Sequence, residues 1–135
     1  MKFFLFLCTG NSCRSQMAEG IATEQIKHIL FESAGINPEP VNPRAISVLK
    51  DIGIDISKNI SKKINFRDID KYDLVITLCG DAKDNCPIVI HPKKHIHWDI
   101  EDPAKFRGDE GQTDLKFSEV RDIIYRKIKQ LKERV

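Results

Sequence analysis

The chain has 135 residues, four cysteines and a formal net charge of +2. This length fits one domain with a substantial hydrophobic core, which we assign to residues 1–135. The small charge does not indicate a nucleic-acid partner, and no apolar run approaches the ~20 residues that span a bilayer. The short apolar start at residues 3–7 does not fit a signal peptide. We therefore expect a cytoplasmic monomer without a nucleic-acid or membrane partner, whose cysteines are catalytic, redox-active or metal-binding rather than structural.

The first predicted element is a buried strand at residues 3–7, which is apolar throughout and leads to Cys8. The loop that follows reads Cys-Thr-Gly-Asn-Ser-Cys-Arg-Ser and precedes a segment with helical spacing of apolar residues. In such a strand–loop–helix unit, successive backbone N–H groups can face one concavity, and the helix N-terminus adds partial positive charge. The sequence therefore predicts a pocket for a tetrahedral oxyanion, lined by Thr9, Gly10, Asn11, Ser12, Cys13 and Arg14.

Three side chains of this loop indicate nucleophilic chemistry at sulfur. Cys8 is the candidate nucleophile, because loop amides, a helix N-terminus and a nearby guanidinium all stabilise a thiolate. Arg14, six positions further on, can hold two oxygens of the anion bidentately. Ser15 can donate its hydroxyl to the Cys8 sulfur and so favour the charged form. The alternative is a buried cysteine in an ordinary strand-to-helix turn, which the strand–loop–helix context disfavours.

Apolar spacing and turn residues predict the remaining elements in chain order. A first helix is predicted from Ser15 to about Leu30, and a second from Pro43 in its first turn to Gly53 at its end. Strands are predicted at Phe31–Ala34, Asp73–Leu78 and His95–Ile100, a short helix at Phe66–Tyr72, a surface loop at Lys105–Asp114 and a long helix at Thr113–Arg134.

Strands that alternate with helices predict an α/β fold with a parallel sheet between helical layers. Ligand sites in such sheets lie at the carboxyl ends of the strands. Cys8, Cys79 and Asp102 each follow a predicted strand, so we expect these reactive groups at one edge of the sheet. Asp102, whose backbone Pro103 restrains, is the candidate general acid for a leaving oxygen. An Asp-Pro turn without a chemical role is the common alternative.

Cys79 and Cys86 are a second pair of candidate reactive thiols. On a helix, their spacing would put the Cα atoms ~10 Å apart, whereas a disulfide needs roughly 4.4–6.8 Å. A bond between them therefore requires this segment to loop out, which its polar residues and Pro87 make easy. Two buried thiols beside a strand are the alternative. His91 and His95 could join them as metal ligands, but the spacings match no common zinc module, and we expect no metal.

Residues 8–20 carry a family resemblance, in the run Cys-Thr-Gly-Asn-Ser-Cys-Arg-Ser-Gln-Met-Ala-Glu-Gly. The run resembles the phosphate loop of low-molecular-weight protein tyrosine phosphatases and, more closely, that of the related thioredoxin-coupled arsenate reductases. This resemblance extends along the chain and implies a three-layer α/β sandwich, with a four-stranded parallel sheet flanked by helices. It also implies reduction of arsenate to arsenite, in which Cys8 attacks arsenic and Asp102 donates a proton. The disulfides Cys8–Cys79 and then Cys79–Cys86 would follow, and thioredoxin would reduce the second.

Two other functions remain open on the sequence. A low-molecular-weight tyrosine phosphatase would use the same loop and Asp102 through a Cys8 phosphocysteine, without the second cysteine pair. Ala104 stands where those phosphatases commonly carry an aromatic residue, and Ser12 is polar where they tend to be apolar. Both differences favour a small inorganic anion. A module that only binds anions or senses redox state would bind or form a disulfide without turnover.

The resemblance also raises the question of a potassium ion, which some of these arsenate reductases bind near the loop through oxygen ligands. Asn11, Glu19 and Ser33 match part of that site, whereas Ile60 and Lys62 stand where oxygen-bearing side chains are expected. A lysine ammonium can take the place of the cation. We therefore expect weak or absent potassium dependence and no tightly bound cofactor.

Overall fold

The computed structural model describes residues 1–78 and 94–135. The strands in these ranges are β1 (Lys2–Cys8), β2 (Ile29–Gly35), β3 (Leu74–Thr77) and β4 (His95–His97), and the helices are α1 (Arg14–Gln25), α2 (Pro43–Lys50) and α3 (Glu110–Arg134). The four strands form a parallel sheet in the order β2-β1-β3-β4. No helix in the described ranges is long and apolar enough to cross a membrane. Short 3-10 helices occupy Phe66–Lys71 and Pro103–Lys105.

Strand β1 lies inside the sheet and buries side chains on both faces, because successive residues of a strand point to opposite sides. Phe4 and Phe6 belong to the larger core cluster, which includes the apolar stripes of α1, α2 and α3. Leu5 and Leu7 pack on the other face in a cluster with Tyr72, at the end of the 3-10 helix Phe66–Lys71. The predicted sandwich, with a parallel sheet between two outer layers, is therefore confirmed.

Helix α1 is shorter than the sequence predicts, and the prediction that it extends to Leu30 is wrong. The helix ends at Gln25, because Ile26 already has an extended backbone with φ −125° and ψ 95°. Ile29 and Leu30 instead begin β2, where they pair with Lys2 and Phe3 of β1. Their apolar side chains match a helical spacing, but pairing with the central strand determines their conformation.

Helix α2 begins as predicted, since the Asn42 side chain accepts from Arg44 N and Pro43 occupies the first turn, but it ends at Lys50 rather than at Gly53. After the helix, Gly53 adopts a positive φ of 80°, a conformation that glycine adopts at little cost. Strand β4 also ends early, at His97 rather than at Ile100.

Helix α3 begins at Glu110 rather than at Thr113, and the predicted surface loop at residues 105–114 is correspondingly shorter. The cause is a capping box, in which the Asp109 side chain accepts from Gln112 N while the Gln112 side chain accepts from Asp109 N. These two hydrogen bonds satisfy backbone donors of the first turn and extend the helix toward its N-terminus.

Candidate active site

The carboxyl end of β1 opens into a cavity of about 270 Å³, whose lining contains most of the residues predicted for the oxyanion pocket. Asp102, which follows β4 beyond the same carboxyl edge of the sheet, lines the same cavity. The lining residues are Cys8, Thr9, Gly10, Ser12, Cys13, Arg14, Asn37, Glu39, Asp102, Ala104 and Lys105. The structure thus brings the predicted nucleophile, the predicted anion-binding arginine and the predicted acid together.

Backbone hydrogen bonds direct the carbonyl groups of the loop toward the segment 36–42. This segment donates to the carbonyl oxygens of Cys8, Thr9, Gly10 and Ser12 at 2.9–3.3 Å. A trans peptide directs its C=O and the following N–H to opposite sides, so the N–H groups that follow these carbonyls face away from the segment 36–42. Five-residue loops of this kind bind anions through such converging donors.

Gly35 at the end of β2 makes this close approach of the two segments possible. A Cβ atom at this position would lie 2.8 Å from both Asn11 N and Thr9 O, which are backbone atoms that cannot move aside. Asn11 itself has a positive φ of 49°, which asparagine tolerates better than most residues. The conformation of the loop at residues 9–13 therefore depends on Gly35, which has no side chain, and on Asn11, whose backbone is in the left-handed region.

The Cys8 sulfur lies within hydrogen-bond distance of two donors. Ser15 Oγ is 2.8 Å away, and Asn11 N donates to the sulfur at 3.3 Å. Ser15 Oγ in turn accepts a hydrogen bond of 2.8 Å from Asn11 Nδ2, which leaves the serine hydrogen for the sulfur. Hydrogen bonds donated to a sulfur atom stabilise negative charge that develops on it.

The orientation of the Asn11 amide follows from its partners. Its Oδ1 atom accepts from Lys62 N at 2.9 Å, and a backbone N–H can only donate. Gln16 Nε2 donates to the same oxygen at 3.2 Å, and Gln16 Oε1 accepts from Asn59 Nδ2 at 3.0 Å. These contacts direct Asn11 Nδ2 toward Ser15, and so they determine which way the serine hydroxyl points.

Arg14 links the loop to the segment that carries Asp102. The guanidinium is buried, with 3% of the residue exposed, and Nη1 donates to Ile100 O at 2.9 Å. Nη2 lies 3.7 Å from Asp102 Oδ2, while Asp102 Oδ1 accepts from Ala104 N at 3.0 Å. An arginine held in this way keeps its planar donor group at the cavity, where it can bind two oxygens of a bound anion.

Cys13 also lines the cavity, but its environment differs from that of Cys8. Burial raises its pKa to about 12, although a hydrogen bond with Ser12, whose Oγ lies 3.6 Å from the sulfur, opposes this effect. The Cys13 thiol is therefore protonated at neutral pH and unsuited to act as a nucleophile.

The second predicted cysteine pair, Cys79 and Cys86, lies outside the described residues, as does His91. His95 lies in β4, where its Nε2 atom is 2.9 Å from Thr77 Oγ1, and burial lowers its pKa. Among residues 1–78 and 94–135, the structure contains no group of three or more histidine, cysteine or acidic side chains placed to hold a metal ion.

Glu19, which matches part of the potassium site, accepts hydrogen bonds at both of its carboxylate oxygens. Glu19 Oε1 accepts from Ser33 Oγ at 3.0 Å and Glu19 Oε2 accepts from Asn59 Nδ2 at 3.1 Å. Lys62 Nζ lies 3.0 Å from Glu32 Oε1. Burial raises the pKa of Glu19, and the Ser33 hydrogen bond and the charge of Lys62 oppose that shift. Both Glu19 oxygens therefore accept hydrogen bonds, and the Lys62 ammonium contributes positive charge nearby.

Sequence reasoning missed two groups of residues around the cavity. Asn37 and Glu39 line its mouth, because β2 ends at Gly35 on the same edge of the sheet as Cys8. The rule that sites lie beyond the carboxyl ends of parallel strands could have identified them. Gln16 and Asn59, which orient Asn11, carry no comparable signal because 43 positions separate them.

Residues 4–135 match the family model described as low molecular weight phosphotyrosine protein phosphatase. The chain belongs to this family. Among relatives in the phosphatase family, the arsenate reductase of Oceanobacillus iheyensis is 47% identical over 133 residues, covering 95% of this chain and 93% of the relative. The arsenate reductase of Bacillus subtilis is 44% identical over 133 residues, covering 98% of this chain and 96% of the relative.

Solved structures of the low-molecular-weight phosphatase family share the fold. An arsenate reductase in the phosphate-binding state is 35% identical, with a TM-score of 0.78 over 100% of this chain and 99% of that one. The low-molecular-weight protein tyrosine phosphatase from T. tengcongensis is 27% identical, with a TM-score of 0.84 and full coverage of both chains. The fold and the family predicted from residues 8–20 are confirmed.

Proposed function

We propose that this enzyme reduces arsenate to arsenite. The observation that carries the proposal is the cavity, where a doubly hydrogen-bonded Cys8 sulfur, Arg14 and Asp102 meet around a space suited to a small oxyanion. Ala104 at the cavity lining adds no aromatic surface for a phosphotyrosine ring. The names of relatives at 43–47% identity, which are arsenate reductases, support the same substrate.

In the first step, the Cys8 thiolate attacks arsenic and one arsenate oxygen leaves as water. Arg14 and the loop N–H groups bind the remaining oxygens and stabilise the charge that develops on them. Asp102 supplies a proton to the leaving oxygen, in line with its place in the same cavity, 3.7 Å from Arg14. A Cys8–arsenic adduct with arsenic still in the +5 state is the product of this step.

The second and third steps are a relay through Cys79 and Cys86. Cys79 attacks the Cys8 sulfur, two electrons pass to arsenic, arsenite leaves and a Cys8–Cys79 disulfide forms. Cys86 then attacks Cys79, which frees Cys8 and leaves a Cys79–Cys86 disulfide for a thioredoxin dithiol to reduce. Leu78, immediately before Cys79, donates to Leu7 O at 2.9 Å, so the chain passes beside Cys8 just before the second thiol. We propose that a cytoplasmic monomer carries out this cycle.

The test is NADPH oxidation after addition of arsenate, with thioredoxin and thioredoxin reductase present. We expect sustained turnover in the wild type and none in Cys8→Ser, Cys79→Ser or Cys86→Ser. Cys13→Ser is the matched control, because it removes a thiol of the same loop whose burial keeps it protonated. Undiminished multiple turnover in Cys86→Ser would exclude the relay, even if arsenate reduction itself is observed.

A tyrosine phosphatase activity is the second candidate, because an anion cavity that binds arsenate also fits phosphate. It is favoured by the likeness to the T. tengcongensis phosphatase, which extends over the whole chain. Such an enzyme would form a phosphocysteine at Cys8 and would not need Cys79 or Cys86. Brisk hydrolysis of an aryl phosphate in both wild type and Cys86→Ser, without arsenate turnover, would establish the phosphatase instead.

A further inference from the structure

Lys116, on the second turn of α3, contacts both ends of the segment that carries Asp102. Its Nζ atom lies 3.0 Å from Glu101 Oε1, and the same ammonium is 5.2 Å from the centre of the Phe106 ring. Glu101 directly precedes Asp102, and Phe106 follows the 3-10 helix Pro103–Lys105. One cation thus bridges the two sides of the short segment 101–106, through an ion pair and a cation–π contact.

This segment is also held from the cavity side. Arg14 donates to Ile100 O at 2.9 Å and approaches Asp102 Oδ2 at 3.7 Å, while Pro103 is buried. The other Asp102 oxygen accepts from Ala104 N, within the segment itself. The position of the Asp102 carboxylate therefore depends on where the backbone of residues 101–106 lies. Arg14 restrains this segment on the cavity side, and Lys116 restrains it on the side of α3.

The Lys116 side chain is only 21% exposed, whereas Glu101 is 62% exposed. The hydrogen bond with Glu101 raises the pKa of Lys116, so the ammonium stays charged at neutral pH. An exposed ion pair contributes little to stability on its own. Lys116 differs from an exposed ion pair, because it is partly shielded and contacts two residues of one segment. It can therefore restrict the positions that this segment samples.

We propose that Lys116 is a positioning residue that holds Asp102 at the distance from the bound anion at which it can protonate the leaving oxygen. The inference rests on the proposed role of Asp102 as general acid. Proton transfer requires the donor within about 3 Å of the reacting oxygen, and displacements of roughly 1 Å can cost about 100-fold in rate. Loss of Lys116 is therefore expected to affect the chemical step without weakening the binding of arsenate by Arg14.

The test measures single-turnover arsenite formation by reduced enzyme at several arsenate concentrations, which excludes the thioredoxin step from the rate. Asp102→Asn is expected to lower the saturating rate by about 100-fold or more. Lys116→Met is expected to lower it by about 10-fold with an unchanged half-saturating arsenate concentration. Lys116→Arg, which keeps both the ion pair and the cation–π contact, is expected to stay within about 3-fold of wild type.

Two further variants separate positioning from loss of structure. In an Asp102→Asn background, Lys116→Met is expected to cost less than about 2-fold, because it acts through the missing carboxyl. Glu119→Gln is the matched control, since Glu119 contacts Lys116 at 3.6 Å within α3 and lies outside the segment 101–106. Glu101→Gln tests the same restraint at an exposed residue and is expected to lower the rate in the same direction as Lys116→Met.

The outcomes distinguish the two hypotheses. Equal rates in Lys116→Met and wild type, with Asp102→Asn impaired, would overturn the positioning role alone. The positioning role would also be overturned if Lys116→Met lowered the rate equally in the wild-type and Asp102→Asn backgrounds, or if it raised the half-saturating arsenate concentration. An unimpaired Asp102→Asn, or a wild type that forms no arsenite, would overturn the proposed chemistry and this inference with it.

Discussion

Asn11 Nδ2 donates to Ser15 Oγ at 2.8 Å, and this contact directs the serine hydrogen toward the Cys8 sulfur. The two residues therefore act as one unit, in which an amide determines the direction in which a hydroxyl donates. Because Asn11 also donates its backbone N–H to the sulfur, the same residue contacts Cys8 directly and through Ser15.

Ser15→Ala removes the hydroxyl donor while leaving the backbone of the loop unchanged. Loss of one hydrogen bond to a charged group costs about 1.5–3 kcal/mol, so we expect the second-order rate with arsenate to fall by roughly 10- to 100-fold. The rate at which iodoacetamide modifies Cys8 at neutral pH, followed by mass spectrometry of its peptide, should fall in parallel. Ser57→Ala, at an exposed position, is the control. Unchanged alkylation and unchanged activity in Ser15→Ala would contradict the assignment.

Cys13→Ala tests whether the second thiol of the loop has a chemical role. The Cys13 pKa of about 12 keeps this thiol neutral below that value. We therefore expect arsenate turnover within about 3-fold of wild type, together with a loss of about 1 kcal/mol in the free energy of unfolding from the missing sulfur. The measurements are steady-state turnover and urea denaturation. A loss of turnover as complete as that of Cys8→Ser would assign Cys13 to the relay.

Potassium dependence is expected to be weak, because donors from Ser33 and Asn59 occupy both oxygens of Glu19. Turnover in potassium chloride and in sodium chloride at matched ionic strength should differ by less than about 2-fold, since matched salt removes the general screening effect. A large activation by potassium at constant ionic strength would show that a cation displaces these donors.

Glu32 should make stability depend on pH in the acid range. Burial alone would raise its pKa, but hydrogen bonds from Tyr72 and Lys62 outweigh it, and the folded pKa lies below the ordinary 4.5. A lowered folded pKa stabilises the protein above the unfolded value, and this contribution disappears as the pH falls through the folded value. Glu32→Gln should therefore lose about 0.5–1 kcal/mol at neutral pH and become equal to wild type well below pH ~4. Urea denaturation across this range gives the difference, and a gap that persists at low pH would contradict it.

Local sequence determines the unit from β1 through the anion loop into α1, which is why the loop and its candidate residues could be predicted. The strand is apolar, the loop is short, and each of its functional groups lies within a few residues of Cys8. The overlong first helix arose because Ile26, Ile29 and Leu30 fit a helical spacing as well as a strand. Pairing with β1, which is a long-range contact, determines the outcome.

The parts of the site that sequence could not predict depend on distant contacts. Lys62 N contacts Asn11, and Asn59 contacts Gln16, from 43 or more positions away, and no sequence pattern predicts these two hydrogen bonds. Lys116 lies on a helix whose apolar stripe is easily recognised, yet its contact with Glu101 depends on the path of a loop. Such residues are determined by how elements pack, and not by the pattern within any one element.

The hydrogen bond from Arg14 to Ile100 spans 86 positions of the chain. Ribosomes add roughly 5–20 residues per second, so Ile100 is added to the chain roughly 4–17 s after Arg14. Throughout that interval the nascent chain carries its thiol without the assembled anion cavity. The restraint on the Arg14 guanidinium is therefore absent until residue 100 has been added, and a prematurely terminated chain that lacks this residue carries the thiol without it.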